Sequence, residues 1–353
     1  MPKKSYILSI KYSPGLLKEM LTLAKGSQKE GFEPKLILSS DYRWLLEDFD
    51  DNKLDALFFS SFSELFNLLS NEDMCKKSNI IVYNFHPYNF LLFFLKRKSK
   101  CFMYIHEPWM EKKSRYGLAR MFMLIVLERM QKTYVRLIAD QTVVPSKHAK
   151  EKAMKYKVHN RLKSPKICPL LLDIDSEVEK NKNRFLFIGR IHKAKSFDSV
   201  LNILKSNDEI IIEVITTSDI SHYLSNGFKD YVDQKRLIVE SNQNISEEVI
   251  QGAIKKATAV FKLDTLMTQS GVVPLCFSLS TPVIARNIIG FSQDISHMKN
   301  GFLVNESTPE QINEAINWVN QNLEVASKNA RAEYERKFSI NTWNKTWGAL
   351  LSE

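Results

Sequence analysis

Short apolar runs recur along the chain, and stretches of helical period separate them. In the first half, Tyr6–Ile10, Pro34–Leu38, Ala56–Ser60, Ile80–Tyr83, Cys101–Ile105, Gln141–Val144 and Ile167–Leu172 read as strands. The pattern restarts with Phe185–Ile188, Ile210–Ile215, Leu237–Glu240, Ala259–Phe261, Pro282–Ala285 and Gly301–Val304. Helical spacing marks Leu16–Ala24, Trp44–Phe49, Glu64–Leu69, Gly117–Ile138 and Ser146–Tyr156 between the first strands. A last helical region runs with breaks from about Glu310 to the C-terminus. The strands are too continuously apolar to keep one face in water. Their alternation with helices predicts parallel sheets covered by helices on both sides.

A polar, charged stretch, Asp173 to Asn183, separates the two halves, and 353 residues suffice for two domains with cores of their own. We place the first domain at 1–172 and the second at 173–335. Cys75, Cys101, Cys168 and Cys276 are scattered with no Cys-x-x-Cys pair, which argues against a disulfide framework or a structural zinc site. The N-terminal Met-Pro-Lys-Lys-Ser leads straight into the first strand without a signal-peptide pattern, so a cytoplasmic location is expected. The longest apolar runs, Phe90–Leu95 and Met121–Leu127, fall well short of the roughly 20 residues that span a bilayer.

Charge changes the picture more than composition does. The net charge is +10, and residues 1–180 carry all of it, with 31 basic against 21 acidic residues; residues 181–353 balance at 19 each. Between Lys96 and Lys166, 19 basic residues meet 5 acidic ones. Such a one-sided field attracts an anionic partner. Lys112, Lys113, Arg115, Arg120, Arg129, Lys132 and Arg136 surround the apolar Met121–Leu127. That mixture suits contact with anionic lipid without spanning it, unless Met121–Leu127 is buried core. No nucleic-acid-binding motif is recognisable, and none is expected.

Candidate chemistry concentrates in two stretches of the second half. In Arg184–Ser196 an apolar strand ends at Gly189, and Arg190 and Lys195 follow before a helical pattern begins at Phe197. Two cations at the carboxyl end of a strand suit a phosphate group, though a solvated loop has the same composition. From Met267 the chain reads as a polar turn (Thr268, Gln269, Ser270, Gly271), an apolar helix, and the strand Pro282–Ala285; Ile289-Gly290 and Asn300-Gly301-Phe302-Leu303-Val304 come after. Amides of Ser270 and Gly271 at a helix start would suit an anion; otherwise the pair is an ordinary helix cap.

In order and spacing these stretches resemble the donor half of the retaining, GT-B-fold glycosyltransferases of family 4. That family shows Gly-Arg-x4-Lys-Gly, a Glu-rich Gly turn leading into a helix, Thr-Pro-Val-Val-Ala, Gly-Gly and Asn-Gly-Leu-Leu-Val. The resemblance covers roughly half of the chain. It implies two Rossmann-like domains facing across a cleft, an α/β architecture. Domain 1–172 would bind the acceptor and 173–335 the nucleotide-sugar donor, with the C-terminal helix at 336–353 packed back on the first. It implies transfer of a sugar from a nucleoside diphosphate to a glycan or lipid-linked hydroxyl with retention. In that chemistry the leaving phosphate takes the acceptor's proton, so neither a protein base nor a metal is required.

Residue by residue, the resemblance gives catalytic roles to Arg190 and Lys195 on the diphosphate and to His106 on the sugar. Gly189, Gln269, Ser270 and Gly271 would bind the donor. Gly15 and Glu107 fall in acceptor or loop positions, and no metal ligand is implied. His106 and the weaker candidate His86 have a structural-histidine alternative, and His192 reads as a loop residue. One departure matters. The family's paired glutamates should fall at positions 267 and 275, which hold Met267 and Leu275; the nearest carboxylate is Asp264. A branch of the family lacks this pair. A non-catalytic subunit that binds a sugar nucleotide or scaffolds a transferase is therefore the alternative.

Overall fold

The computed structural model describes residues 3–47, 54–71, 78–95, 98–107, 118–174, 180–191, 195–243, 245–265, 267 and 269–352. Of the residues singled out in the sequence, Cys75, Lys96, Lys112, Lys113, Arg115, His192 and Thr268 lie outside them. The chain divides into two compact units, Met1–Leu171 with Ile340–Glu353, and Leu172–Ser339.

The first unit holds a sheet of β1 (Lys3–Ser9), β2 (Phe32–Ser39), β3 (Asp55–Phe59), β4 (Asn79–Tyr83), β5 (Lys100–Tyr104), β6 (Gln141–Val144) and β7 (Lys166–Ile167). The strand order is β3-β2-β1-β4-β5-β6-β7 and the pairings are parallel. Side chains of alternate residues enter two separate cores. Ile7, Leu36, Ile81 and Phe102 join one, whereas Tyr6, Leu8, Ile37, Ile80 and Met103 join the other. That is why the strands are apolar throughout. The last strand is shorter than its apolar run predicts. Cys168 N still donates to Val144 O at 2.9 Å, but Pro169 has no N–H to continue the ladder.

The C-terminal segment returns to this unit as a 3-10 turn, Ile340–Lys345, and a helix, Trp347–Ser352. Trp343 and Trp347 are both buried in the first core. Trp343 packs where helix Leu17–Lys29 carries a glycine; a Cβ on Gly26 would stand 2.2 Å from its ring. Asn79 Nδ2 and Lys3 Nζ donate to Leu351 O at 3.1 Å each, and Asn344 Nδ2 to Glu30 Oε1 at 2.7 Å.

The second unit holds β8 (Arg184–Ile188), β9 (Ile211–Thr216), β10 (Leu237–Ser241), β11 (Ala259–Lys262), β12 (Val283–Arg286) and β13 (Gly301–Val304) in the order β10-β9-β8-β11-β12-β13, again parallel. In each sheet the order reverses once, between β1 and β4 and between β8 and β11. The loops that leave the carboxyl ends of such a strand pair diverge and open a crevice for a ligand.

A buried carboxyl marks the first core. Glu19 of helix Leu17–Lys29 is 4% exposed. Burial pushes its carboxyl up to about 8, and the neighbouring hydroxyls of Tyr104 and Tyr83 offset this only in part. The folded chain thus favours the protonated acid. The stability this contributes is complete below the ordinary value of 4.5 and is lost as pH rises through about 8. Glu19→Gln removes the dependence. Denaturant melts should show the variant more stable at pH 7 by on the order of 3 kcal/mol, with no gain at pH 4.

Candidate functional site

The crevice of the second sheet gathers most of the charged candidates. Gly189 follows β8 with φ +118°, a conformation open to glycine, and its N–H donates to Ile215 O at 3.0 Å. The Nζ of Lys195 lies 2.7 Å from where a Cβ on Gly189 would stand. The positive φ is what requires glycine here; the lysine tip is flexible and could move aside. Ile191 N donates to Ser218 Oγ at 2.9 Å, which ties the loop after β8 to the loop after β9. Arg190 is exposed, and Lys195 is half-buried. Burial lowers the Lys195 ammonium below its ordinary value; Lys262 and Arg190 add to this, and Asp264 opposes it. The two cations singled out in the sequence thus share one electrostatic neighbourhood.

Two further charges stand there that motif reading missed as a pair. Lys262 ends β11 and Asp264 follows two residues later; their side chains form an ion pair at 3.1 Å and are 4% and 5% exposed. β11 lies directly beside β8 in the sheet, with Phe261 opposite Phe187. Their sequence signal was a charge closing an apolar run, Ala259-Val260-Phe261-Lys262.

The loop continues to the predicted donor turn. Gln269 and Ser270 are buried, at 2% and 3% exposure. The amide oxygen and nitrogen of Gln269 have no hydrogen-bond partner among the described residues. A buried amide left so is costly, so it marks a place where a ligand's polar groups would be favourable. Gly271, not Ser270, is the N-cap of the helix Val272–Ser278, and no side chain caps it. Pro274 stands in the first turn, where its missing N–H costs little. Met267 and Leu275, at the positions of the absent glutamates, pack against the apolar core of the unit.

The first unit has a corresponding crevice between β1 and β4, with β5 alongside. Asn84 follows β4 with φ +55°, and its Nδ2 donates to Ser13 Oγ at 3.0 Å. Ser13 N donates to Tyr42 Oη at 2.6 Å, which pins the turn that carries the exposed Gly15. No atom of the described residues lies within 4 Å of a Cβ placed on Gly15. His106 and Glu107 follow β5. Burial lowers the His106 imidazole to about 4, so it is neutral at neutral pH, and its Nδ1 has no partner among the described residues. Glu107 is exposed at the surface, yet the protein around it raises its carboxyl, against the pull of Lys152 and Lys11. Lys11 and Lys152 were not singled out in the sequence. His86 caps the turn Pro87–Leu91: its Nδ1 accepts from Tyr88 N at 3.3 Å, and its N–H donates to Asn89 Oδ1 at 2.6 Å. The structural alternative therefore accounts for His86.

Two parallel-sheet α/β domains of this kind form the GT-B fold of glycosyltransferases. Among solved structures of similar fold is Anabaena HepE in complex with UDP, with a TM-score of 0.72, 13% identity, and coverage of 99% of both chains. The pneumococcal O-GlcNAc transferase GtfA in complex with UDP and GlcNAc gives a TM-score of 0.71 and 10% identity, again over 99% of both chains. An uncharacterized 41.2 kDa protein in the cps region of Klebsiella pneumoniae is 24% identical over 324 residues, which is 87% of this chain and 82% of that one. No family model matches the chain.

Two glycines of the second unit separate ligand space from packing. A Cβ on Gly290 would stand 2.2 Å from Met267 O, so Gly290→Ala must push the donor turn away and should cost about 1–3 kcal/mol in a denaturant melt. At Gly271, φ is −69° and no described residue comes within 4 Å of a Cβ. Gly271→Val should therefore lose about 1 kcal/mol at most, through its poorer capping.

Proposed function

We propose that the chain is a glycosyltransferase that moves a sugar from a nucleoside diphosphate to a hydroxyl of a glycan or lipid-linked acceptor with retention. The observation that carries this reading is the pair Arg190 and Lys195 at the strand-order reversal of the second sheet, in a GT-B fold. The bond between the anomeric carbon and the β-phosphate oxygen breaks, and negative charge grows on the diphosphate. Fixed cations in a half-buried site stabilise that charge more than they stabilise the ground state. The acceptor oxygen bonds to the same face of the anomeric carbon, and its proton passes to the leaving phosphate. Arg190 and Lys195 supply the counter-charge, so the reading assigns no metal. Gln269 offers a donor and an acceptor to the sugar in place of a glutamate. The neutral His106, in the first domain, is assigned to the sugar as the family resemblance implies.

The complexes of HepE with UDP and of GtfA with UDP and GlcNAc favour a uridine nucleotide as donor. The Klebsiella relative's place in a cps region favours a role in bacterial surface polysaccharide synthesis. Core packing of Met267 and Leu275 favours the second reading, a non-catalytic subunit that binds a sugar nucleotide. Hydrolysis of a UDP-sugar without acceptor decides between the two, because a binding subunit releases no sugar.

We also assign the first unit to an anionic membrane surface on the cytoplasmic side. The helix Leu118–Leu137 does not bury its apolar run: Leu118, Phe122, Met123 and Val126 are exposed, with Arg120 and Arg129 on the same helix. Phe93 and Phe94 are exposed as well. No helix among the described residues is long and apolar enough to cross a membrane. Phe122→Ser with Met123→Ser should abolish sedimentation with phosphatidylglycerol vesicles at low salt; wild type that stays in the supernatant would remove the membrane from the reading.

For the transfer itself, Arg190→Ala and Lys195→Ala should each lower turnover on the order of a hundredfold without changing the melting temperature. Gly271→Val, folded, should lose UDP affinity in calorimetry if backbone and phosphate approach closely. Wild-type turnover in either charge variant would put the diphosphate elsewhere.

A further inference from the structure

The Lys262–Asp264 pair has no evident structural purpose. Taking two charges out of water costs several kcal/mol per ion, and an apolar pair of similar volume often serves stability equally well or better. Yet this pair is almost wholly buried at the end of β11, on one side of the strand-order reversal. On the other side, at the end of β8, stand Arg190 and Lys195, and Lys195 feels both members of the pair. Among the described residues, Arg190, Lys195 and Lys262 thus set three cations against the carboxylate of Asp264, a surplus of two positive charges. Like charges so placed repel, and a dianion among them relieves the repulsion.

We propose that Lys262 is a third cation of the diphosphate site, and that Asp264 is a positioning residue that holds Lys262 and Lys195 in place for it. This rests on the reading of the second unit as a nucleoside-diphosphate site and adds to it a member outside the Arg190 and Lys195 motif. Lys262 closes β11, the strand beside β8 at the order reversal. The diphosphate is then held from two strands, which fixes its orientation as well as its charge. Asp264 keeps the ammoniums from driving each other apart before the ligand arrives, and the pair opens toward the phosphate when it binds.

The test is calorimetry with UDP and UMP on wild type and on the double variant K262M/D264L, with melting temperatures measured on both. If the pair serves the ligand, the variant melts at or above the wild-type temperature. Its UDP affinity falls on the order of tenfold to a hundredfold, as expected for loss of a charged hydrogen-bond donor, and its preference for UDP over UMP shrinks. An unchanged UDP affinity in the folded variant overturns the assignment and leaves the pair structural. Should K262M/D264L not fold, K262M/D264N keeps the shape of the carboxylate and is read in the same way. A wild type that binds neither nucleotide overturns the donor-site reading and the assignment together, whereas binding by wild type with no loss in the variant overturns the assignment alone.

Discussion

Parallel strands deliver their loops to one edge of the sheet, and only where the strand order reverses do two neighbouring loops leave in opposite directions. In the second unit that place lies between β8 and β11. The rest of the candidate site depends on this constraint. Gly189 and Lys195 follow β8, Lys262 closes β11, and Asp264 and Gln269 lie in the loop beyond it. Distant segments of the chain meet there because the order β9-β8-β11 makes them neighbours. The same constraint in the first unit puts Ser13 beside Asn84, after β1 and β4.

Electrostatics then decides what such a place can hold. A half-buried lysine flanked by further cations has an ammonium that is harder to keep charged, and its lowered value reflects burial first and the like charges second. A bound anion offsets the repulsion of the like charges and favours the charged ammonium. Proteins seldom collect uncompensated cations without use for them, because each costs solvation. The amide of Gln269, without a partner among the described residues, points the same way, since a buried polar group is costly until something meets it.

The fold was legible in the sequence because strand and helix have different periods. The thirteen expected strand runs correspond to thirteen strands among the described residues, and Gln141–Val144 and Gly301–Val304 match in extent. The run Ile167–Leu172 is longer than the strand it contains, because it conceals Pro169, which ends the ladder while the side chains around it stay buried. Arg190 and Lys195 were legible because glycine, arginine and lysine fall at a strand end in a recognised spacing. Lys262 and Asp264 were not, since a single charge at the end of an apolar run looks like a solvated strand terminus. Only the sheet order shows that this terminus lies beside β8. The roles of Met267 and Leu275 were legible as an absence, but their use as core needed the packing.

In the proposed reading the crevice between β8 and β11 holds a nucleoside diphosphate. Hydrogen–deuterium exchange of the whole chain with and without saturating UDP tests it most directly. Exchange should slow in peptides covering 189–196 and 263–272, with the peptides of β1 to β3 unchanged. Protection confined to the first unit, or none at a UDP concentration that calorimetry shows to be saturating, would contradict it.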